Sequence, residues 1–124
     1  MKLLRGIGHT LLLKQGAVAT IGNFDGVHLG HQDLLRALKN KANDLGLPLV
    51  VILFEPQPRE YFQHDKAPPR LSSLREKLYA LADSQVDYVY CIKFDEKIAN
   101  TPASEFVNYY LLKQLNVRYL LVGH

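Results

Sequence analysis

Four short apolar runs alternate with helical patterns along this chain, and that alternation constrains the fold more than any other feature of the sequence. The runs are rich in Val, Ile, Leu and Tyr, which favour strands, and they cover Ala17–Ile21, Leu49–Phe54, Val86–Ile92 and Val117–Val122. The second and fourth runs are almost continuously apolar, which is typical of strands covered on both faces of a parallel sheet. The sequence therefore predicts four strands in one sheet.

Helical patterns fill the intervals between these runs. From about His31 to Leu45, apolar residues recur at helical spacing, which predicts an amphipathic helix. Ser73 followed by Glu76 has the spacing of a capping box at a second helix start, and Thr101-Pro102 marks a third. The order of elements predicts an α/β domain, a Rossmann-like open parallel sheet with flanking helices and right-handed crossovers.

Composition narrows the class of protein. The 124 residues have room for one domain, and 48% hydrophobic with 22% charged residues is an ordinary globular balance. The formal charge of +3 without a dense basic cluster predicts no nucleic-acid partner. Cys91 is the only cysteine, which excludes an internal disulfide and a thiolate zinc site. No apolar run approaches the ~18 residues of a membrane span, so we expect a cytoplasmic protein.

One connection is unusually long. Glu55–Leu71 separates a strand from its helix, contains Pro56, Pro58, Pro68 and Pro69, and shows little periodicity. A loop of this length in a compact domain is usually functional or disordered. It is expected to emerge at the carboxyl ends of the strands, as is the loop after the first strand, and this is the edge where open parallel sheets bind ligands.

The residues after the first predicted strand include the main candidates for catalysis and phosphate binding. They read Gly22-Asn23-Phe24-Asp25-Gly26-Val27-His28-Leu29-Gly30-His31-Gln32 and then enter a helix. Glycines allow a tight turn and close backbone approach to a ligand, and a helix N-terminus favours phosphate. His28 and His31 can face one point across Gly30, where two imidazoles would stabilise charge on a phosphoryl oxygen.

Two histidines three residues apart are not specific to phosphate binding. They can be a surface coincidence, or two ligands of a metal ion. A zinc site needs a third protein ligand, and no Cys, His or carboxylate is obviously placed to supply one. The sequence therefore predicts no metal ligands, and the strand-turn-helix context favours phosphate binding.

Three motifs resemble a known family. Gly22-x-Phe24-Asp25-x-x-His28-x-Gly30-His31 is similar to the signature of the His-x-Gly-His nucleotidyltransferases. Phe54-x-Pro56-x-Pro58, followed by aromatic Tyr61 and Phe62, and the stretch from Pro69-Arg70-Leu71 through Glu76-Lys77-Leu78 to Val86-Asp87-Tyr88-Val89 complete the similarity. Across residues 1–124 the chain resembles the N-terminal FMN adenylyltransferase (FAD synthetase) domain of the bacterial bifunctional riboflavin kinase/FAD synthetase family.

The resemblance implies a fold of nucleotidyltransferase type and a reaction, transfer of AMP from ATP to FMN with Mg²⁺ accompanying ATP. It implies that His28 and His31 contact the ATP phosphates and stabilise the transition state. It also implies two sets of binding residues: Gly22, Asn23, Phe24, Asp25, Gly26 and Gly30 for ATP and its phosphates, and Pro56, Pro58 and Phe62 for the flavin. Tyr61 and Arg70 are further candidates.

Motifs that the family carries further along its chain are not found before His124. They are an Asp/Asn-Phe-x-Phe-Gly segment, an Ile-Ser-Ser-Thr-x-x-Arg motif and the riboflavin kinase domain, so we expect a sheet truncated at its carboxyl-terminal side and little activity from these 124 residues alone. Two alternatives stay open. One is a sister nucleotidyltransferase for another phosphate substrate, such as nicotinamide mononucleotide, against which Pro56–Phe62 argues. The other is a non-catalytic module that binds ATP or flavin.

Overall fold

Five parallel strands form a single sheet in the computed structural model, which describes residues 1–5, 13–25, 29–67, 69 and 73–122. The strands are β1 Lys2–Leu4, β2 Ala17–Ile21, β3 Leu49–Glu55, β4 Tyr88–Lys93 and β5 Val117–Val122. Their spatial order is β1-β4-β3-β2-β5 and every neighbouring pair is parallel. The prediction of an open parallel α/β sheet is confirmed.

Five α-helices connect the strands in the described part of the chain. They are α1 Leu29–Leu45, α2 Pro58–Gln63, α3 Leu74–Asp83, α4 Glu96–Ala99 and α5 Ala103–Phe106. A 3-10 turn, His64–Lys66, follows α2, and α5 continues as a wider, π-type helix over Val107–Gln114. The three helices expected from the sequence are present, and α1 begins two residues earlier than predicted.

Two apolar cores lie on opposite faces of the sheet, because successive side chains of a strand point to opposite faces. Along β3, Leu49, Val51 and Leu53 pack with α1 and α3, whereas Val50 and Ile52 pack on the other face. All five side chains are fully buried. The prediction that this strand is covered on both faces is confirmed.

The same prediction is wrong for β5. Only Val117 of this strand is buried, and Tyr119, Leu120, Leu121 and Val122 are 37–60% exposed. The physical reason is that β5 lies at an edge of the sheet, where the described helices leave most of its side chains uncovered, whereas β3 lies at the centre between β4 and β2.

The ends of β3 and β4 also differ from the sequence prediction, since β3 ends at Glu55 rather than Phe54 and β4 ends at Lys93 rather than Ile92. β4 begins at Tyr88 rather than Val86, and the carboxylate of Asp87 accepts hydrogen bonds from the backbone N–H of Leu49 (2.8 Å) and from Lys39 Nζ (2.9 Å). Asp87 therefore ties the start of β4 to β3 and to α1. The sequence prediction missed β1, which has only three residues and is held by parallel pairing of Lys2 with Tyr88.

The Glu55–Leu71 segment was expected to be an aperiodic loop, and that expectation is wrong for much of it. Residues 58–66 are helical. Pro58 occupies the first turn of α2, where its missing N–H costs nothing, and the Glu60 carboxylate accepts the backbone N–H of Gln57 at 2.8 Å. These local interactions start a helix too short to show periodicity. Residues 68 and 70–72, including Pro68, Arg70 and Leu71, lie outside the described residues.

The predicted capping box of α3 is confirmed. The Ser73 hydroxyl accepts the N–H of Glu76 at 3.2 Å, and the Glu76 carboxylate accepts the N–H of Ser73 at 3.0 Å. The bond from the Ser73 backbone lowers the pKa of Glu76 below its ordinary value of 4.5. Since the charged carboxylate is the form that is held, this cap supports the fold at neutral pH and is lost as the pH falls through the lowered pKa.

The strand order places a topological switch point beside β2. From β2 the chain moves outward to β3 and β4, and then returns to the other side of β2 to form β5. At the carboxyl ends of these two strands Ile21 pairs with Val122. Because ligands of open α/β sheets bind outside such a point, the segment that follows Ile21 stands where a ligand is expected.

Candidate functional site

The segment after β2 is supported from within the core by Phe24. Its backbone has a φ of +50°, a conformation that non-glycine residues seldom adopt, and its side chain is 2% exposed. The ring packs against the His31 ring with 5.2 Å between centroids. Phe24 therefore ties the loop to the first turn of α1, and because the whole residue is buried its proposed contact with ATP stays a prediction.

Gly22 makes room for that ring. A Cβ atom placed on Gly22 would lie 2.9 Å from Cε2 of Phe24, closer than real Cβ contacts allow. The Gly22 N–H donates to the carbonyl of Ile52 at 3.3 Å and so extends the contact of β2 with β3. Packing against the Phe24 ring therefore requires glycine at this position, in addition to the close approach to a ligand that the sequence suggested.

His31 lies in the first turn of α1, as predicted, and is half-buried. The amides of this turn have no carbonyl partners within the helix, and the positive end of the helix dipole lies here. No acidic side chain occupies the turn. His31 and the amides that begin with Leu29 therefore form the part of the predicted phosphate site that the structure describes.

Three of the predicted site residues can be located only in part or not at all. Gly26 and His28 lie outside the described residues, so their placement and the pairing of His28 with His31 stay predictions. The backbone of Gly30 belongs to the first turn of α1. Asn23 is half-buried in the loop after β2.

Asp25 is the charged residue of this loop. Its side chain is 8% exposed, and its Oδ2 lies 3.3 Å from an Nη atom of Arg59, a residue of α2 whose side chain is 37% exposed. Arg59 Nε also donates to Oε1 of Gln57 at 3.1 Å. No local signal in the sequence indicates a role for Arg59 or Gln57, because Arg59 and its carboxylate partner are thirty-four positions apart.

The residues predicted to hold the flavin follow the neighbouring strand, β3. Pro56 is exposed, Pro58 is half-buried at the start of α2, and the Phe62 ring is 63% exposed. The three therefore come from one short stretch at the carboxyl end of β3. A largely exposed phenyl ring carries the apolar surface that a flat aromatic ligand would cover.

Phe62 stands on an aromatic cluster. Its ring centroid lies 5.2 Å from that of Tyr61 and 5.7 Å from that of Phe94, and these two rings are 5.3 Å apart, all in edge-to-face contact. Phe54 also contacts Phe94, at 5.4 Å. Tyr61, a further candidate from the sequence, is half-buried and supports the exposed ring. Phe94 was not predicted from the sequence, although its place one residue after β4 puts it at the same edge of the sheet.

The two candidate segments therefore meet at one edge of the sheet. One follows β2 beside the switch point, the other follows β3, and Arg59 joins them through Asp25. Among the described residues no group of three His, Cys, Asp or Glu could hold a metal ion. No helix in this part of the chain has the length and apolar character to cross a membrane.

Both the structure and the sequence of this chain are similar to those of known proteins. A crystal structure described as a macrolide-efflux protein from Streptococcus pneumoniae has a TM-score of 0.79 and 25% identity, with 98% of this chain and 40% of that chain covered. This similarity supports the α/β fold. A family model described as FAD synthetase matches residues 11–124.

Curated relatives carry the name bifunctional riboflavin kinase/FMN adenylyltransferase. The protein from Escherichia coli K12 is 52% identical over 99% of this chain, and that from Haemophilus influenzae is 49% identical over 99%. The protein from Pseudomonas fluorescens is 45% identical over the same share. The chain spans about 40% of the length of these relatives. The resemblance inferred from the three motifs is confirmed, and the chain belongs to the FAD synthetase family.

Proposed function

We propose that this chain is the adenylyl-transferring part of an enzyme that makes FAD and pyrophosphate from FMN and ATP. The observation that carries the proposal is the meeting of two segments at one edge of the sheet. The helix start with His31 suits a polyphosphate, and the neighbouring exposed Phe62 suits a flat ring. The names of the curated relatives supply the activity that joins the two ligands.

The reaction balances without a general base. An oxygen of the FMN phosphate attacks the α-phosphorus of ATP, the bond from that phosphorus to the bridging oxygen of the β-phosphate breaks, and pyrophosphate leaves. The attacking phosphate is already an anion, so alignment and charge stabilisation can supply most of the acceleration. His31 and the first amides of α1 would stabilise the charge on the reacting phosphoryl group, together with His28.

Magnesium belongs to the proposal as the ion carried by ATP. Magnesium in nucleotide-dependent enzymes is commonly bound mainly by substrate phosphates and water, and we propose the same here. Such an ion would neutralise phosphate charge when bound. We also propose a cytoplasmic location, since the sequence has one cysteine, Cys91, which is buried and thus compatible with a reducing compartment.

The test is FAD formation by the full-length protein. FMN and ATP with Mg²⁺ should give FAD and pyrophosphate in equal amounts, measured by chromatography of the flavins and a pyrophosphate assay. Nicotinamide mononucleotide in place of FMN distinguishes a sister nucleotidyltransferase. Binding of both ligands without either product would show a binding module and would exclude the proposed reaction.

Phe62→Ala tests the flavin site. Loss of the exposed ring should weaken FMN binding by about 1–3 kcal/mol, roughly 5- to 150-fold in Kd, because the flavin loses its apolar partner. ATP affinity should change little. Tyr79→Ala is the matched control, since Tyr79 is an aromatic residue of α3 that is 66% exposed. Fluorescence titration with FMN and calorimetric titration with ATP measure the two affinities, and equal loss of both would contradict a flavin-specific role.

A further inference from the structure

A single guanidinium connects the two candidate substrate segments. Arg59 is the second residue of α2, and its side chain reaches back to the loop after β2, thirty-four positions earlier. One Nη atom donates to Asp25 Oδ2 at 3.3 Å, and Nε donates to Gln57 Oε1 at 3.1 Å. The same planar group therefore contacts both segments at once.

Burial makes this contact more than a surface ion pair. The Asp25 side chain is 8% exposed and Gln57 is fully buried, whereas Arg59 is 37% exposed. A carboxylate removed from water is costly unless it is paired, so the Asp25–Arg59 interaction is held more firmly than an exposed pair. Arginine presents several donors in one rigid plane, and a lysine ammonium cannot reproduce that geometry.

The amide of Gln57 gives a second reason why the segment is held in place. Because Oε1 accepts from Arg59, Nε2 must point away from it, and this buried nitrogen has no acceptor among the described residues. A buried donor without an acceptor is unfavourable. The bond from Arg59 to Oε1 therefore determines which way the buried Gln57 amide faces.

We propose that Arg59 is a positioning residue that couples the phosphate site to the flavin site. The proposal rests on the function given above. The loop with Asp25 leads to the helix start where ATP phosphates would bind, and α2 carries Phe62, where the flavin would bind. Since Arg59 holds the two segments in one arrangement, a ligand that orders either segment lowers the cost of ordering the other. Binding of one substrate then strengthens binding of the other by the same factor in both directions.

The experiment measures that factor in the full-length protein. The Kd of FMN is determined with and without a saturating, non-hydrolysable magnesium-ATP analogue. In the native protein we expect the analogue to tighten FMN binding about fivefold or more, within the usual range of such couplings. Arg59→Met and Arg59→Lys should both reduce the factor to less than about twofold, and the lysine variant shows that retained charge is not enough.

Arg75→Met is the matched control. Arg75 is an exposed arginine of α3 whose guanidinium lies 5.8 Å from the centre of the Tyr79 ring, outside both segments. It should keep the native coupling factor. A native factor below about twofold, or a factor that Arg59→Met retains, would overturn the proposal.

Hydrogen exchange of the ligand-free protein supplies a readout that does not depend on the proposed function. Arg59→Met should accelerate amide exchange in 22–25 and in 57–63 together, while Arg75→Met leaves both unchanged. Acceleration confined to one segment, or to neither, would overturn the connection. If the native protein bound neither FMN nor the ATP analogue, the proposed function would fail, and the exchange result alone would decide whether Arg59 connects the segments.

Discussion

His31→Ala is expected to lower the rate of FAD formation by about 10- to 1,000-fold, the loss seen when a transition-state donor is removed. His31 stands in the first turn of α1, where the amide groups and the helix dipole already favour phosphate. Removing the imidazole should reduce the stabilisation of the transition state more than that of bound ATP. The value of kcat should therefore fall more than the affinity for ATP. Steady-state kinetics of FAD formation measure both. We expect an effect of the same size for His28→Ala.

Two further variants separate chemistry from folding. His64→Asn changes an exposed histidine after α2 and should leave the rate within about twofold, as for surface substitutions in general. His31→Asn keeps a hydrogen-bond donor and should lose less than His31→Ala. Unchanged turnover in both His28→Ala and His31→Ala would remove the histidines from the mechanism. If His31→Ala also lowered the unfolding midpoint well below that of the native protein, the loss of rate would be explained by a structural role of His31.

Phe24→Ala is expected to lower the free energy of unfolding by about 3–5 kcal/mol, the usual cost of deleting a buried phenyl ring. The ring is 2% exposed and belongs to the core cluster that includes Leu35 and Leu38 of α1. Its loss leaves a cavity under the loop and removes the ring that contacts His31. Urea unfolding followed by circular dichroism measures the change, and the rate of FAD formation should fall in the folded variant.

Phe62→Ala is the matched control for this change. The same atoms are deleted, but from a ring that is 63% exposed and has edge contacts with Tyr61 and Phe94, so the unfolding free energy should change by no more than about 1.5 kcal/mol. We therefore expect Phe24→Ala to lose stability and Phe62→Ala to lose flavin affinity. A loss below about 1 kcal/mol for Phe24→Ala would show that the loop does not depend on this ring.

Much of the fold could be predicted from the sequence, because long apolar runs and helical periodicity determine which elements form. The bounds of β2 and β5 were predicted to the residue. The β1 strand could not be predicted, since three residues carry no pattern and Lys2 is placed by its pairing with Tyr88. The exposure of β5 depends on its place in the sheet, which its own composition does not encode.

Only part of the candidate site could be predicted from the sequence. The position of His31 in a first helical turn followed from local sequence, because a turn and a helix start are short-range features. The burial of Phe24, the space that Gly22 leaves for it and the bond from Arg59 to Asp25 are contacts between side chains. Such contacts depend on how the loop folds back, and no spacing in the sequence reports them.

The strand order also has a consequence for how this chain folds. Neighbouring strands β2 and β3 are joined by one helix, but β1 pairs with residues more than eighty positions away, as Lys2 does with Tyr88. The edge strand β5 is just as distant from β2, since Ala17 pairs with Val117. Pairings of high sequence separation form slowly because a long loop must close first. We therefore expect the unit of β2, α1 and β3 to assemble early, and the pairing of β5 with β2 and of β1 with β4 to form late.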